Sequence, residues 1–332
     1  MVAGTTWFVS KTGIKKMTEH KTNTCCAGID VSKEKLDAVV MPGAEHLVVA
    51  YTKEGLKELD AFLSRHKVER IGFEASGGYE RRLLEHLRAG SIPAVRVQPK
   101  QVRAFGTAKL RRAKNDRLDA RLIALFTASL EHLPPLPGPL SIELAEHLTF
   151  IEQIEDRIVL AKTSLETTVN PRLRRLHSAE ITRLETRRKA ELMRLAKAVE
   201  ASSELARRMA RVCSIKGIGL RTGLALVIRI PELGRLSREE VAALSGLAPY
   251  DNDSGKSAGR RHISGGRPRL RTSLFMAGFS AIQWNPGIKA FYDRLRAKGK
   301  HHLSALVAAM RKLVILANAV VARDADWQPT RP

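Results

Sequence analysis

The sequence predicts an α/β domain followed by a mainly helical region, and three observations carry that prediction. Short apolar runs rich in Val, each closed by turn residues, alternate with helical periodicity over residues 25–133. A proline-rich segment at residues 134–139 interrupts the pattern. Beyond it, apolar residues recur at threes and fours over long stretches, as they do on one face of a helix.

These features divide the chain into four regions. A length of 332 residues is large for one domain, so two domains joined by a connector are expected. Residues 1–24 lack an apolar period and are predicted to be a poorly ordered leader, with Met17 as an alternative start. The other regions are an α/β domain at residues 25–133, a linker and coiled-coil arm at 134–212, and a helix-rich C-terminal domain at 213–332.

The first domain begins with three predicted strands, which follow one another closely enough to form an antiparallel meander. They lie at residues 25–31, 36–41 and 46–51. A helix, a strand, a helix and a strand are then expected at residues 53–66, 70–75, 79–89 and 92–97. A meander followed by this alternation predicts a sheet covered by helices.

Four acidic residues fall where this sheet would bring them together. Asp30 lies near the end of the first strand and Glu74 near the end of the fourth, and adjacent parallel strands would present both at one edge. Asp116 and Asp119 are three residues apart, so a helix places them on one face. This order is the one that a ribonuclease-H-like or RuvC-like fold requires. Two plainer interpretations stay open: a surface strand end for Asp30, and acids at the positive end of a helix dipole for the later pair.

The four acids predict a metal site, because clustered carboxylates repel one another unless a cation neutralises them. Hard, oxygen-liganded Mg²⁺ is the expected cofactor, with Mn²⁺ as a substitute. Two such ions about 3.5 to 4 Å apart would stabilise the attacking and leaving oxygens of a phosphodiester. No further cofactor is predicted.

The chain has a large positive surplus, with 57 Lys and Arg against 34 Asp and Glu and a formal charge of +23. Such a surplus favours a polyanionic partner, because phosphate contacts release condensed counterions. A membrane surface competes as a polyanion, but no uninterrupted apolar run of about 18 residues is seen, so a cytoplasmic protein with no membrane partner is expected. The three cysteines have no zinc-ligand spacing and fit a reducing compartment.

Basic residues in two runs are the predicted nucleic-acid contacts, and a solvated surface is the alternative for the first run. The first run, beside the acids, consists of Lys109, Arg111, Arg112, Lys114 and Arg117. The second, in the C-terminal domain, consists of Lys256, Arg260, Arg261, Arg267, Arg269 and Arg271.

Two motifs mark the C-terminal domain. Residues 214–223 (SIKGIGLRTG) resemble a helix-hairpin-helix element, whose glycines would let backbone N–H groups approach a phosphate. Residues 244–271 form a glycine- and serine-rich loop, in which a serine backed by arginines would be able to attack a phosphate. Ordinary loop chemistry is the alternative, because no histidine at a fixed offset identifies a base.

Taken together, these motifs resemble those of the DEDD transposases of insertion-sequence family 110. They are GIDVSK at residues 28–33, FEASGGY at 73–79, KNDRLDAR at 114–121, GIG at 217–219, and GLAP at 246–249 with Ser254-Gly255. The resemblance implies a RuvC-like domain in which Asp30, Glu74, Asp116 and Asp119 are the catalytic metal ligands. It also implies a coiled-coil arm and a C-terminal transposase domain whose serine becomes joined to DNA.

The serine maps onto Ser254 by its Ser-Gly context, with Ser257 close by and Ser264 as a weaker candidate. The implied partners are donor DNA, target DNA, a bridge RNA that pairs with both, and further copies of the chain. In the implied homotetramer, the serine of one subunit completes the acidic site of another.

Two other functions fit the same sequence. A metal-dependent junction-resolving nuclease would use the acids and water and would need no serine. A nucleic-acid-binding scaffold with a degenerate nuclease fold would need neither the serine nor the metal.

Overall fold

Five strands near the start of the chain form one mixed sheet. The computed structural model describes residues 24–108, 116–250 and 262–329, with Asp116 and Arg117 described by their backbone alone. The strands are β1 (Cys26–Val31), β2 (Lys35–Met41), β3 (Glu45–Ala50), β4 (Arg70–Glu74) and β5 (Ala94–Val97), in the order β3-β2-β1-β4-β5. The first three strands are antiparallel, and β1, β4 and β5 are parallel. The predicted meander is present, and β1 and β4 are neighbours as expected.

Four helices accompany the sheet in the described part of this unit, which ends at Pro137. They are α1 (Lys53–Arg65), α2 (Glu80–Ala89), α3 (Pro99–Ala108) and α4 (Asp116–Ala128). Helix α3 was not predicted, because the sequence of this segment indicated only a basic surface. Helix α4 ends at Ala128, before the proline-rich segment at residues 134–139, so these prolines are not what ends it.

Helix α4 lies on the sheet at a place where both strands carry glycine. Gly28 of β1 and Gly72 of β4 are paired residues in the parallel ladder. A methyl group added at Gly28 would overlap the backbone of Ala120 and Ala124, and one at Gly72 would lie 3.1 Å from Thr127 Cβ. Gly28 therefore allows the backbone of α4 to pack directly on β1, and Gly72 makes room on β4 for the Thr127 and Ile123 side chains.

The second unit begins at Gly138 and is mainly helical. Its helices are α5 (Pro139–Thr167), α6 (Pro171–Glu200), α7 (Ser203–Cys213), α8 (Leu220–Arg229), α9 (Arg238–Leu244), α10 (Pro268–Trp284), α11 (Pro286–Ala297) and α12 (His302–Arg323). Two short strands, β6 (Pro249–Tyr250) and β7 (His262–Ile263), pair with each other. Helices α5 and α6 form the long hairpin that corresponds to the predicted arm. Proline stands in the first turn of α5, α6, α10 and α11, where its missing N–H costs no helical hydrogen bond.

The main core of the second unit is a large apolar cluster to which α12 contributes Leu306, Ala309, Leu313 and Val314. By length and composition alone α12 could cross a membrane, and it is the one such helix among the described residues. Half of its most apolar stretch is buried in the structure. The apolar character of α12 is thus accounted for by core packing.

Replacement of Gly28 by Ala is expected to lower the free energy of unfolding by about 3 kcal/mol, because the new methyl group must displace the backbone of α4. Gly43→Ala is the matched control, since a methyl group there meets only the Glu45 side chain at 3.6 Å, an ordinary contact. Denaturant unfolding of the two variants measures the difference. Equal unfolding midpoints would contradict the direct packing of α4 on β1.

Candidate active site

Asp30 and Glu74 lie side by side at the carboxyl edge of the sheet. The parallel β1–β4 ladder pairs Ile29 with Phe73, and the two acids are the next residues on their strands. Side chains alternate along a strand, so Asp30 lies on the same face as Gly28, the face that α4 covers. Both acids are partly exposed.

The first turns of α4 lie at the same edge of the sheet. Ala120 packs over Gly28, and Ile123 packs over Gly72, with its Cγ2 atom 3.2 Å from the point that a methyl group on Gly72 would occupy. Position 116 is one helical turn before Ala120, and Asp119 is one turn before Ile123. The helix therefore brings position 116 toward the end of β1, and it brings Asp119 toward the end of β4.

The four acids suit a hard divalent cation, because such a cation prefers oxygen ligands and carboxylates supply them. Within the described residues, no group of three His, Cys, Asp or Glu side chains is close enough together to hold a metal ion. Asp30, Glu74 and Asp119 are among those residues, whereas the side chain of Asp116 lies outside them. The structure thus places the acids at one edge of the sheet, but the described side chains alone do not form a complete set of metal ligands.

A buried carboxylate, Glu80, organises the turn that follows Glu74. Its Oε2 atom accepts hydrogen bonds from Ser76 N at 3.2 Å, Ser76 Oγ at 3.3 Å and Gly78 N at 2.8 Å. Arg96 Nη1 lies 3.5 Å from its Oε1 atom. The turn needs glycine at Gly78, where φ is +119°. Sequence reasoning found the turn but missed Glu80, although an acid directly after Gly-Gly-Tyr is the available signal.

A second buried carboxylate, Asp37, lies on β2 directly across from Asp30. It is 5% exposed. Lys35 Nζ is 3.0 Å from its Oδ2 atom and His46 Nε2 is 3.2 Å from its Oδ1 atom. Sequence reasoning missed this residue too, although an acid in the middle of the apolar run Leu36–Met41 is unusual.

Most predicted site residues of the loop at 244–271 and of the first basic run lie outside the described residues. In the loop these are Ser254, Lys256, Ser257, Arg260 and Arg261. In the first basic run they are Lys109, Arg111, Arg112 and Lys114, and Arg117 is described by its backbone alone. Ser264 is described and exposed.

The three described arginines of the second run have partners within the second unit. Arg267 donates to the carbonyl of Arg229, and Arg271 Nη1 donates to the carbonyl oxygens of Gly246 and Gly265 at 3.3 and 3.1 Å. Arg269 donates to Asp156 at 3.0 Å, and this hydrogen bond holds the pKa of that carboxyl below its ordinary value. None of these contacts was predicted from the sequence.

Arg269 belongs to a charge network around the buried Glu152 on α5. Arg229 Nη2 donates to Glu152 Oε2 at 2.6 Å, and Arg221 donates through two nitrogens to Glu155 at 2.9 and 2.8 Å. The network joins α5 to α8 and α10, so these arginines anchor the α5–α6 hairpin to the rest of the second unit.

The Gly217-Ile-Gly219 motif joins α7 to α8, as a helix-hairpin-helix element would require. Gly217 has a φ of +104°, and a methyl group there would lie 2.6 Å from Ala281 Cβ of α10. Gly219 precedes α8 and faces open space. Packing against α10 therefore explains the first glycine, and only the second is placed for a close approach by a ligand.

Two family profiles match the chain. One, described as "Transposase" and built on DEDD proteins of insertion sequence 110, matches residues 27–170. The other, described as "Transposase IS116/IS110/IS902 family", matches residues 209–293. The chain belongs to the IS110 family of DEDD transposases. This transposase is accordingly an insertion-sequence enzyme of DNA recombination, and the fold is mixed α/β and rich in helix.

Curated relatives of the transposase carry related names. It is 27% identical to the pilin gene-inverting protein of Moraxella bovis over 90% of its own length and 95% of the relative. It is 30% identical over 36% of its length to the insertion element IS110 uncharacterized 43.6 kDa protein of Streptomyces coelicolor, covering 29% of that protein. A solved T. thermophilus RuvC in complex with Holliday junction substrate is 19% identical, with a TM-score of 0.25 over 31% of this chain and 91% of that one.

Replacement of Glu80 by Gln is expected to loosen the turn after Glu74, because an amide has one acceptor oxygen and no charge for Arg96. The free energy of unfolding should fall by about 2 kcal/mol. Amide hydrogen exchange at Ser76 and Gly78 should accelerate. Glu85→Gln, on the exposed face of the same helix, is the control. Unchanged exchange at both amides in the Glu80 variant would show that the carboxylate does not hold the turn.

Proposed function

We propose that this transposase cuts and rejoins DNA at an acidic site formed by Asp30, Glu74, Asp116 and Asp119, with a serine as the nucleophile. One observation carries the acidic half of the proposal: Asp30 and Glu74 lie at neighbouring positions near the ends of adjacent parallel strands, and the first turns of α4 lie at the same edge. The family of the chain supports recombination as the reaction. On this proposal the first unit is a RuvC-like nuclease domain.

The four carboxylates would hold Mg²⁺, or Mn²⁺ in its place, because both ions prefer oxygen ligands. When bound, such ions would lower the proton affinity of the nucleophile and stabilise charge on the reacting oxygens. The protein contributes the placement of its acids. The β1–β4 ladder fixes the separation of Asp30 and Glu74, and Glu80 holds the turn behind Glu74.

Ser254 is the proposed nucleophile. Its hydroxyl oxygen would attack a DNA phosphorus and form a serine–phosphate ester, while the bond to a bridging DNA oxygen breaks and that oxygen leaves with the serine proton. Attack on the ester by a DNA hydroxyl would then reseal a strand and release the serine. The ester retains the energy of the original phosphodiester, which attack by water would lose. The Ser-Gly context supports Ser254, and Ser257 is the second candidate.

The proposed partners are donor and target DNA, a bridge RNA that pairs with them, and three further copies of the chain. The charge of +23 supports binding to nucleic acid. Relatives named as pilin gene-inverting proteins support DNA rearrangement as the outcome. A tetramer that joins a serine and an acidic site from different subunits would prevent cutting before assembly. The cytoplasm is the expected compartment.

Trapping on a suicide DNA substrate tests this function. The substrate contains the DNA that flanks the gene, together with the RNA that copurifies with the protein. The wild-type chain should give a protein–DNA adduct on a denaturing gel, and mass spectrometry should locate it on Ser254. Asp119→Asn and Ser254→Ala should each abolish the adduct, whereas Ser257→Ala should retain it.

The other outcomes identify the competing functions. Cleavage without an adduct, undiminished in Ser254→Ala, would indicate a nuclease that uses water. Binding without cleavage, unaffected by EDTA, would indicate a scaffold. An adduct on Ser257 would reassign the nucleophile.

A further inference from the structure

Three neighbouring strands carry an acid on the same face of the sheet. Asp37 of β2 is the direct partner of Asp30 in the antiparallel ladder. Directly opposite residues of such a ladder point to the same face, with Cβ atoms about 4.5 to 5.5 Å apart, and like charges there repel. Glu74 follows on the other side of Asp30. A buried Asp37 in this row needs a compensating charge.

Lys35 and His46 supply that compensation. They approach different oxygens of the Asp37 carboxylate, at 3.0 and 3.2 Å. Lys35 is two residues before Asp37 on β2, so the two side chains share a face. Because β2 runs antiparallel to β1, Lys35 is also closer than Asp37 to the carboxyl edge where Asp30 and Glu74 end.

The Lys35 side chain borders an open groove beside that edge. The groove has a volume of about 550 Å³ and is lined by residues 32–35 of the β1–β2 turn and 48–50 of β3. Lys35 is 44% exposed, whereas Asp37 is almost fully enclosed. The lysine ammonium has three N–H donors, so it is able to bind a phosphate oxygen on its exposed side while it keeps its contact with Asp37.

We propose that Lys35 binds a phosphate of the DNA strand at the acidic edge, and that Asp37 and His46 are positioning residues that hold its ammonium group there. This inference rests on the proposed function, since it names the group that receives the DNA backbone at that site. The lysine ammonium would donate hydrogen bonds to non-bridging phosphate oxygens. The groove at residues 32–35 and 48–50 includes the β1–β2 turn, which directly follows the end of β1 that carries Asp30.

The test compares Lys35→Met with Lys57→Met, a control that removes the same charge from the exposed face of α1. Binding of a DNA oligonucleotide is measured in EDTA across a salt series. The dependence of log affinity on log salt should decrease by about 1 in the Lys35 variant only, because one phosphate contact is lost. Lys57→Met should melt as wild type, whereas Lys35→Met should melt several degrees lower, because Asp37 then keeps only its contact with His46; binding is measured well below both melting temperatures.

Strand cleavage under the conditions of the trapping experiment gives the second readout. Lys35→Met should lower kcat by about 100-fold, as removal of a donor to a reacting group does. Lys35→Arg should retain most of the activity. Asp37→Asn should lower kcat in the same direction and less, by about 10-fold, because Lys35 stays but loses its anchor.

A salt slope for Lys35→Met equal to that of Lys57→Met would overturn the inference, and so would a large loss of melting temperature with an unchanged slope, which indicates a structural ion pair. The binding readout needs neither metal nor chemistry. If wild-type protein fails to cleave but the slope changes as expected, the proposed reaction is wrong and the phosphate site stands.

Discussion

The close packing of α4 on two glycines of the sheet is the constraint on which the candidate site depends. Gly28 and Gly72 are paired in the ladder; the backbone of Ala120 and Ala124 lies directly over Gly28, and the side chains of Ile123 and Thr127 lie over Gly72. This packing sets the height of α4 above the sheet and the direction of its first turn. With this packing, the acidic positions on β1, β4 and α4 lie at one edge of the sheet.

Charge compensation is the second organising principle, and it operates within each unit. The buried acids of the first unit, Asp37 and Glu80, are held by cations and by backbone amides. In the second unit, Glu152 is surrounded by arginines of α8 and α10. Removing one partner from such a group leaves an uncompensated charge, so these sites specify the arrangement of elements as well as stabilising it.

The sequence was sufficient for elements that depend on local pattern and insufficient for contacts between distant residues. The strands and the placement of Asp30 and Glu74 follow from apolar runs closed by turn residues. Helix α3 was missed because its many basic and polar residues hid the short apolar face that Val102 and Gly106 form. The role of Arg269 depends on Asp156, a partner far along the chain, and the roles of Glu80 and Asp37 depend on their burial. Apolar periodicity encodes neither distant partners nor the burial of an acid.

The carboxyl edge of the sheet is the proposed divalent-cation site, and Mn²⁺ titration followed by electron paramagnetic resonance tests it without nucleic acid. Wild-type protein should bind Mn²⁺ saturably, and Glu74→Gln and Asp119→Asn should each raise the dissociation constant at least about tenfold, as loss of a ligand does. Glu85→Gln should bind as wild type. Wild-type affinity in the Glu74/Asp119 double variant, with the fold intact, would contradict the account.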